Sequence, residues 1–384
     1  MVPPLETSAD FRKRKCTKEN LLKRPPQQSQ TQGCRITEFD HLGYAALVLE
    51  NEQLRITLLP GKGSDVIQFL YKPAEIDFMW ASQPGLQPAG AVKTSTGPVN
   101  PFLDNYPGGW QEILPNFGDP CEYKNTKLGL HDEVSMLPWN YVIVEDEPSC
   151  VSVRLEVRCV RTPFWLSKTL TLRPGCVLEI AEKVTNESAE AMDCTWGHHP
   201  AFGAPFLDET CRVVVPPCRV KTQEEYVSPN SRLEKAQDCE WPVVRGRNGG
   251  KIDLSQVPDR GAHSHDMAYL YGFRRGWYAL FNDGRKLGFG MSWDADLFKH
   301  LWFWQVYGGW HGHPWYGTSY NIGLEPVSSY PQSLTGAIKA ESQLKFAPRE
   351  TIQTDLQVTV ISNLDEFVYS RSQTDLKVKK ALPS

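Results

Sequence analysis

The chain has 384 residues, 40% of them hydrophobic and 22% charged, with 41 basic and 45 acidic side chains for a formal net charge of -4. Mild acidity without a sustained Lys/Arg stripe excludes a nucleic-acid groove, because phosphate contacts need clustered cations. No apolar run approaches the ~18 residues that a membrane span requires. The aromatic content is unusual: 12 Trp, 14 Tyr and 16 Phe make 11% of the chain, beside 29 Gly and 29 Pro. One core rarely needs so many rings, so some are expected to line a binding surface.

Residues 1–35 hold Arg24-Pro25-Pro26-Gln27-Gln28-Ser29-Gln30 and a basic patch at Arg12 to Lys15. Such a segment cannot bury enough surface to offset its ordering entropy, and a disordered tail is expected. It lacks the apolar stretch of a signal peptide, which points to a cytoplasmic protein. The ten cysteines include no CxxC pair, and reduced thiols fit that location better than disulfides.

Beyond the tail the hydrophobic period is two. In Val151-Ser152-Val153-Arg154-Leu155-Glu156-Val157-Arg158-Cys159 apolar and polar residues alternate, as in a strand with one wet face. Further strands are expected at 45–50, 54–59, 65–71, 140–145, 164–172, 177–186, 212–215, 277–282, 286–293, 303–307 and 353–362. Between them stand Pro60-Gly61, Arg173-Pro174-Gly175, Asn248-Gly249-Gly250 and Asn282-Asp283-Gly284, residues that supply the positive φ of tight turns. Many strands joined by short turns mean an all-β, largely antiparallel sandwich or barrel. No linker interrupts residues 36–362, which reads as one domain, and residues 363–384 read as a flexible polar tail.

Four Gly- and aromatic-rich constellations could carry chemistry. They are Gly108-Gly109-Trp110-Gln111-Glu112-Ile113 with Gly129-Leu130-His131-Asp132-Glu133; Trp196-Gly197-His198-His199-Pro200-Ala201-Phe202; His263-Ser264-His265-Asp266-Met267-Ala268-Tyr269; and Trp310-His311-Gly312-His313-Pro314-Trp315 with Gly323-Leu324-Glu325. Histidine titrates near neutrality and burial raises Glu toward it, so His and Glu in an aromatic cleft make a workable acid/base pair. His198 and His199 cannot both face the same side of a strand. His263/His265 and His311/His313 would share a strand face and, with a carboxylate, could hold a divalent ion as in cupin-type sugar isomerases. No GxSxG or phosphate-cradling GK[ST] is present.

The order of these constellations resembles the aldose 1-epimerase family, with its galactose mutarotase-like β-sandwich. His131 in Gly129-Leu130-His131 is similar to the family's first histidine, and His199 with Phe202 resembles its His-x-x-Phe histidine. Asp266 with Tyr269 resembles an Asp-x-x-Phe motif that binds sugar hydroxyls, and Glu325 resembles the late carboxylate. The family's Gly-Arg-x-x-Asn-Arg segment is replaced by Gly108 to Ile113, marking a divergent branch. The resemblance implies interconversion of sugar anomers, with Glu325 and His199 catalytic and no metal or other cofactor. It places His131 and Asp266 on a small carbohydrate substrate and leaves the oligomeric state open; Trp110, Trp196 and Trp310, beside the histidines, would offer flat apolar faces to that substrate, and Gln111 and Glu112, in the segment that departs from the family, are expected to bind it too. A cupin-type isomerase and a non-catalytic carbohydrate-binding sandwich are the alternatives.

Overall fold

The computed structural model describes residues 32–91, 101–373 and 379–380. Of the expected tails, residues 1–31, 374–378 and 381–384 lie outside them.

Two antiparallel sheets face each other. The strands of the first, in chain order, are β1 (Arg35–His41), β2 (Tyr44–Glu50), β3 (Leu54–Leu59), β4 (Asp65–Tyr71) and β5 (Trp110–Ile113). The second sheet begins with β6 (Asn140–Glu147), β7 (Cys150–Arg158), β8 (Phe164–Leu172) and β9 (Val177–Asn186). Then come β10 (Gly197–Phe202), β11 (Cys211–Val214), β12 (Arg219–Thr222), β13 (Asp238–Glu240) and β14 (Ser264–Tyr271). The last are β15 (Gly276–Asn282), β16 (Leu287–Trp293), β17 (His300–Tyr307), β18 (Tyr320–Val327) and β19 (Thr351–Ile361). The first sheet runs β1-β2-β3-β4-β5-β10-β18-β17-β14-β12-β13, and the second β6-β7-β8-β9-β19-β16-β15-β11.

The second sheet shows the alternation of its sequence. Along β8, Phe164, Leu166, Lys168, Leu170 and Leu172 are buried while the residues between them are partly exposed, and the neighbouring ladder pairs Leu166 with Val184 and Leu170 with Ile180. Between the sheets Phe69, Phe78, Phe202 and Phe289 pack edge to face, with centroids 4.9 to 6.2 Å apart. Offset and edge-on contacts suit the ring quadrupole. The four glycine turns fall at strand-to-strand links as expected.

Of the four strands that form the floor of the cavity described below, β10, β14 and β18 were not expected. Every residue of β10 and β18 is buried, and all but the last of β14. Their second face is covered by a separate aromatic cluster that includes Trp302, Trp304 and Trp315, so no alternation marks them.

The polar ends also depart from expectation. Cys34 is buried and its N–H donates to Pro148 O at 2.8 Å, so the ordered chain begins before residue 36. A helix, α1 (Leu364–Gln373), occupies part of the expected C-terminal tail. It buries Leu364 and Phe367, the latter edge-on to Trp277 at 5.8 Å; two apolar anchors a turn apart suffice to dock an otherwise polar segment. The nine described cysteines are all unpaired.

Candidate active site

Adjacent strands β10, β18, β17 and β14 form the floor of a cavity of about 600 Å³ on the face turned away from the second sheet. The ladder sets its contents. Glu325 lies opposite Trp302 and Gly323 opposite Trp304 between β18 and β17. Ala201 of β10 lies opposite Gly323, which brings His199, two residues back, beside Glu325, two residues on. His199 Nε2 stands 3.4 Å from Glu325 Oε1. No hydrogen-bond donor aligns with either Glu325 oxygen, so this is a close approach of a carboxyl oxygen and a ring nitrogen rather than a formed bond.

The site is held by rings. Tyr106 OH lies 3.3 Å from His199 Nδ1. His131, in a left-handed turn at φ 50°, lies with its ring 5.0 Å from that of His199. Its Nδ1 accepts the Gly118 N–H at 3.1 Å, which leaves the proton of the neutral ring on Nε2. Phe102 and Phe117 meet His131 edge-on at 4.7 and 5.2 Å.

Water exclusion governs the charges. Burial raises the Glu325 carboxyl well above the usual carboxylate range and lowers His199 to about 4. His131 is pushed well below the ordinary histidine value, first by burial and then by His199. The charged form of each group loses solvation that no partner restores. A neutral imidazole beside a protonated carboxyl is therefore the resting form, and the pair shares one proton.

Of the nine residues expected at the site, His131, His199, Trp310 and Glu325 line this cavity. Asp266 does not. Side chains alternate along β14, and His265 and Met267 take the cavity face. Asp266 instead accepts the Arg232 N–H at 2.9 Å, the Leu233 N–H at 3.1 Å and Arg232 Nε at 3.3 Å. Trp110, Gln111, Glu112 and Trp196 are likewise absent from the lining and buried within the protein. Gln111 Nε2 donates to Gly108 O at 2.7 Å, and Trp196 Nε1 donates to Glu112 Oε1 at 3.0 Å. Sequence reasoning missed Tyr106, His265, Trp302 and Trp304. For His265, placing residues 264–271 on one strand would have separated it from Asp266.

His198 turns the other way from His199, into the sandwich. There His198, Glu112 and Glu182 bring ligand atoms within 4.8 Å of one another. Trp110 Nε1 donates to His198 Nδ1 at 3.1 Å, so the His198 proton sits on Nε2 and points at Glu182 Oε2, 3.1 Å away. A metal would need that nitrogen bare. Lys168 Nζ, 3.2 Å from Glu112 Oε2, already supplies a cation. Burial raises Glu182 to about 8 and lowers His198 to about 4, as expected of a core polar network that keeps its charge low. Neither HxH pair runs along a strand: His263 precedes β14, and His311 and His313 lie in a loop.

Residues 41–360 match the model of a family described as a domain of unknown function, DUF4432. The chain belongs to that family. No curated protein sequence matches it. Solved structures do. A Klebsiella pneumoniae protein provisionally described as an aldose 1-epimerase superposes with a TM-score of 0.68 at 16% identity, over 90% of this chain and 93% of that one. A galactose mutarotase-like protein from Clostridium acetobutylicum gives 0.58 at 12%, over 85% and 98%. A galactose mutarotase related enzyme from Lactobacillus acidophilus gives 0.56 at 15%, over 86% and 99%. At such identities the likeness establishes the fold, which is galactose mutarotase-like.

Proposed function

We propose that this DUF4432 protein is an aldose 1-epimerase, opening and reclosing the ring of a free sugar. The observation that carries the reading is the buried, unpartnered Glu325 carboxyl 3.4 Å from His199 in an aromatic cavity. Anomer exchange moves a proton from the C1 hydroxyl to a base as the C1–O5 bond breaks, C1=O forms and O5 takes a proton from an acid. Rotation about C1–C2 and the reverse steps complete it. Glu325 is the base and His199 the acid.

Burial makes both groups resist these charges, and the substrate removes the resistance. Sugar hydroxyls would donate to the two Glu325 oxygens that lack donors, stabilising the carboxylate and passing the shared proton to His199. Nε2–H of His131 faces the same space as a further donor. Tyr106 holds His199 from the far side. Trp304 and Trp310, which border the cavity, offer apolar rings to the C–H side of a pyranose, which makes a carbohydrate the fitting substrate class.

A Glu325→Gln protein followed by polarimetry on freshly dissolved aldoses tests the reading. Loss of one acid/base group costs about 10²–10⁴-fold, so exchange should fall toward the buffer rate. An unmutated protein that leaves every aldose at its buffer rate would instead favour a non-catalytic carbohydrate-binding sandwich.

A further inference from the structure

The cavity is larger than one sugar ring. A hexopyranose has twelve non-hydrogen atoms; even at the ~30 Å³ that each water takes in the liquid, it fills about 360 Å³. The cavity holds about 600 Å³. One ring therefore leaves part of the cavity unfilled.

The rings of the cavity also extend in steps. From His199 the next ring is Trp304 at 5.7 Å between centroids, and from Trp304 the next is Trp310 at 6.3 Å. Trp310 is half-buried and borders the cavity. One face of it is backed by His265, stacked at 4.4 Å and 18°, which fixes the indole as a rigid plane. His265 is itself 6% exposed. Its Nε2 accepts from Trp304 Nε1 at 3.4 Å, so its proton sits on Nδ1. That Nδ1–H has no partner among the described residues, and His265 borders the cavity. A flat apolar platform and a buried, preorganised donor beside it are what a second pyranose would use.

Charge narrows the class. Among the described residues, no Lys or Arg lines the cavity, whereas Asp119, Glu225 and Glu325 do. A phosphate or carboxylate on the ligand would meet the Asp119 and Glu225 carboxyl groups and no lysine or arginine there to offset them.

We infer that the Trp310–His265 end of the cavity is a second sugar subsite, so that the preferred ligand is an uncharged saccharide of at least two rings. Its reducing-end ring sits at Glu325 and His199. The next ring lies against Trp310, under the loop that carries Tyr226 and Asn230. This rests on the anomer-exchange reading of the same cavity.

The test uses the full chain with glucose, maltose, cellobiose, lactose and glucose 6-phosphate as probes. Affinity is read by calorimetry, ring contacts by saturation-transfer NMR, and turnover by polarimetry. At least one disaccharide should bind tenfold or more tightly than glucose, with saturation on both rings, and glucose 6-phosphate should bind more weakly than glucose. In Trp310→Ala the disaccharide should lose at least fivefold more affinity than glucose does; Trp310→Phe, which keeps a ring, should restore most of it. Equal affinities for one and two rings, or saturation on the reducing-end ring alone, would overturn the subsite. The two readings fail separately: tight disaccharide binding without turnover removes the epimerase and keeps the subsite, whereas turnover of glucose without disaccharide preference does the reverse.

Discussion

Gly323→Ala should silence the proposed chemistry without replacing either acid/base residue. Gly323 sits inside β18 with no positive φ, so its backbone accepts alanine. The three nearest atoms to an added Cβ belong to Glu325: Oε1 at 2.2 Å, Cδ at 3.1 Å and Cγ at 3.3 Å. The clash is with the end of one flexible side chain, and the relief is rotation of that carboxyl away from His199. Small-to-large changes of this sort cost about 1–3 kcal/mol, a fall in melting temperature of only a few degrees for a domain of this size. Exchange should suffer far more. A displaced base should cost about 10²–10³-fold, toward the lower part of the general acid/base range, or roughly 3–4 kcal/mol of barrier. Polarimetric kcat/KM beside a calorimetric melt measures both. Because Gly323 would act only through Glu325, the Gly323→Ala/Glu325→Gln double mutant should be no slower than Glu325→Gln alone. A Gly323→Ala protein within threefold of the parent, or a double mutant whose losses simply multiply, would refute the argument.

The shared proton sets a pH dependence. Activity needs one proton on the Glu325–His199 pair. As pH falls through about 4 His199 gains a second proton while Glu325 keeps its own, and the base is lost; as pH rises through the elevated Glu325 value the last proton leaves, and the acid is lost. Background-corrected kcat/KM should thus stay flat above about pH 5 and decline as pH rises through the elevated Glu325 value; an acid limb near 6.5, the ordinary histidine value, would contradict it. Asp266→Ala should act on stability rather than on the sugar. It strips two backbone N–H groups and the Arg232 guanidinium of their acceptor, costing about 3 kcal/mol, or a melting shift of about 4 °C, with glucose exchange changed less than tenfold. An unchanged melt with a hundredfold loss of exchange would mean that Asp266 does meet the substrate.

Sequence alone carried most of the second sheet and little of the site's floor. Strands such as β7 and β8 have one wet face, so solvent writes a period of two into them. Strands β10, β14 and β18 are dry on both faces, between the sandwich core and the aromatic cluster under the cavity. Their residues read as Gly-, His- and Trp-rich motifs rather than as strands. The likeness of those motifs to a known family singled out His131, His199 and Glu325, which the fold places around one cavity.

Which neighbour in a motif faces the substrate was a different matter. Asp266 and His265 are adjacent in sequence, as are His198 and His199, and a one-residue choice reverses the face. Only the registers of β10, β18, β17 and β14 turned His265 toward the cavity and Asp266 toward the Arg232 loop. The same registers drew Trp110, Glu112 and Trp196 into a core network with Lys168 and Glu182, residues distant in sequence and on the facing sheet. Composition and period determined that this is an all-β protein with more aromatic rings than a core requires. The tertiary structure decided which of those rings face a ligand, because that depends on strand parity and pairing, which no local stretch of sequence contains.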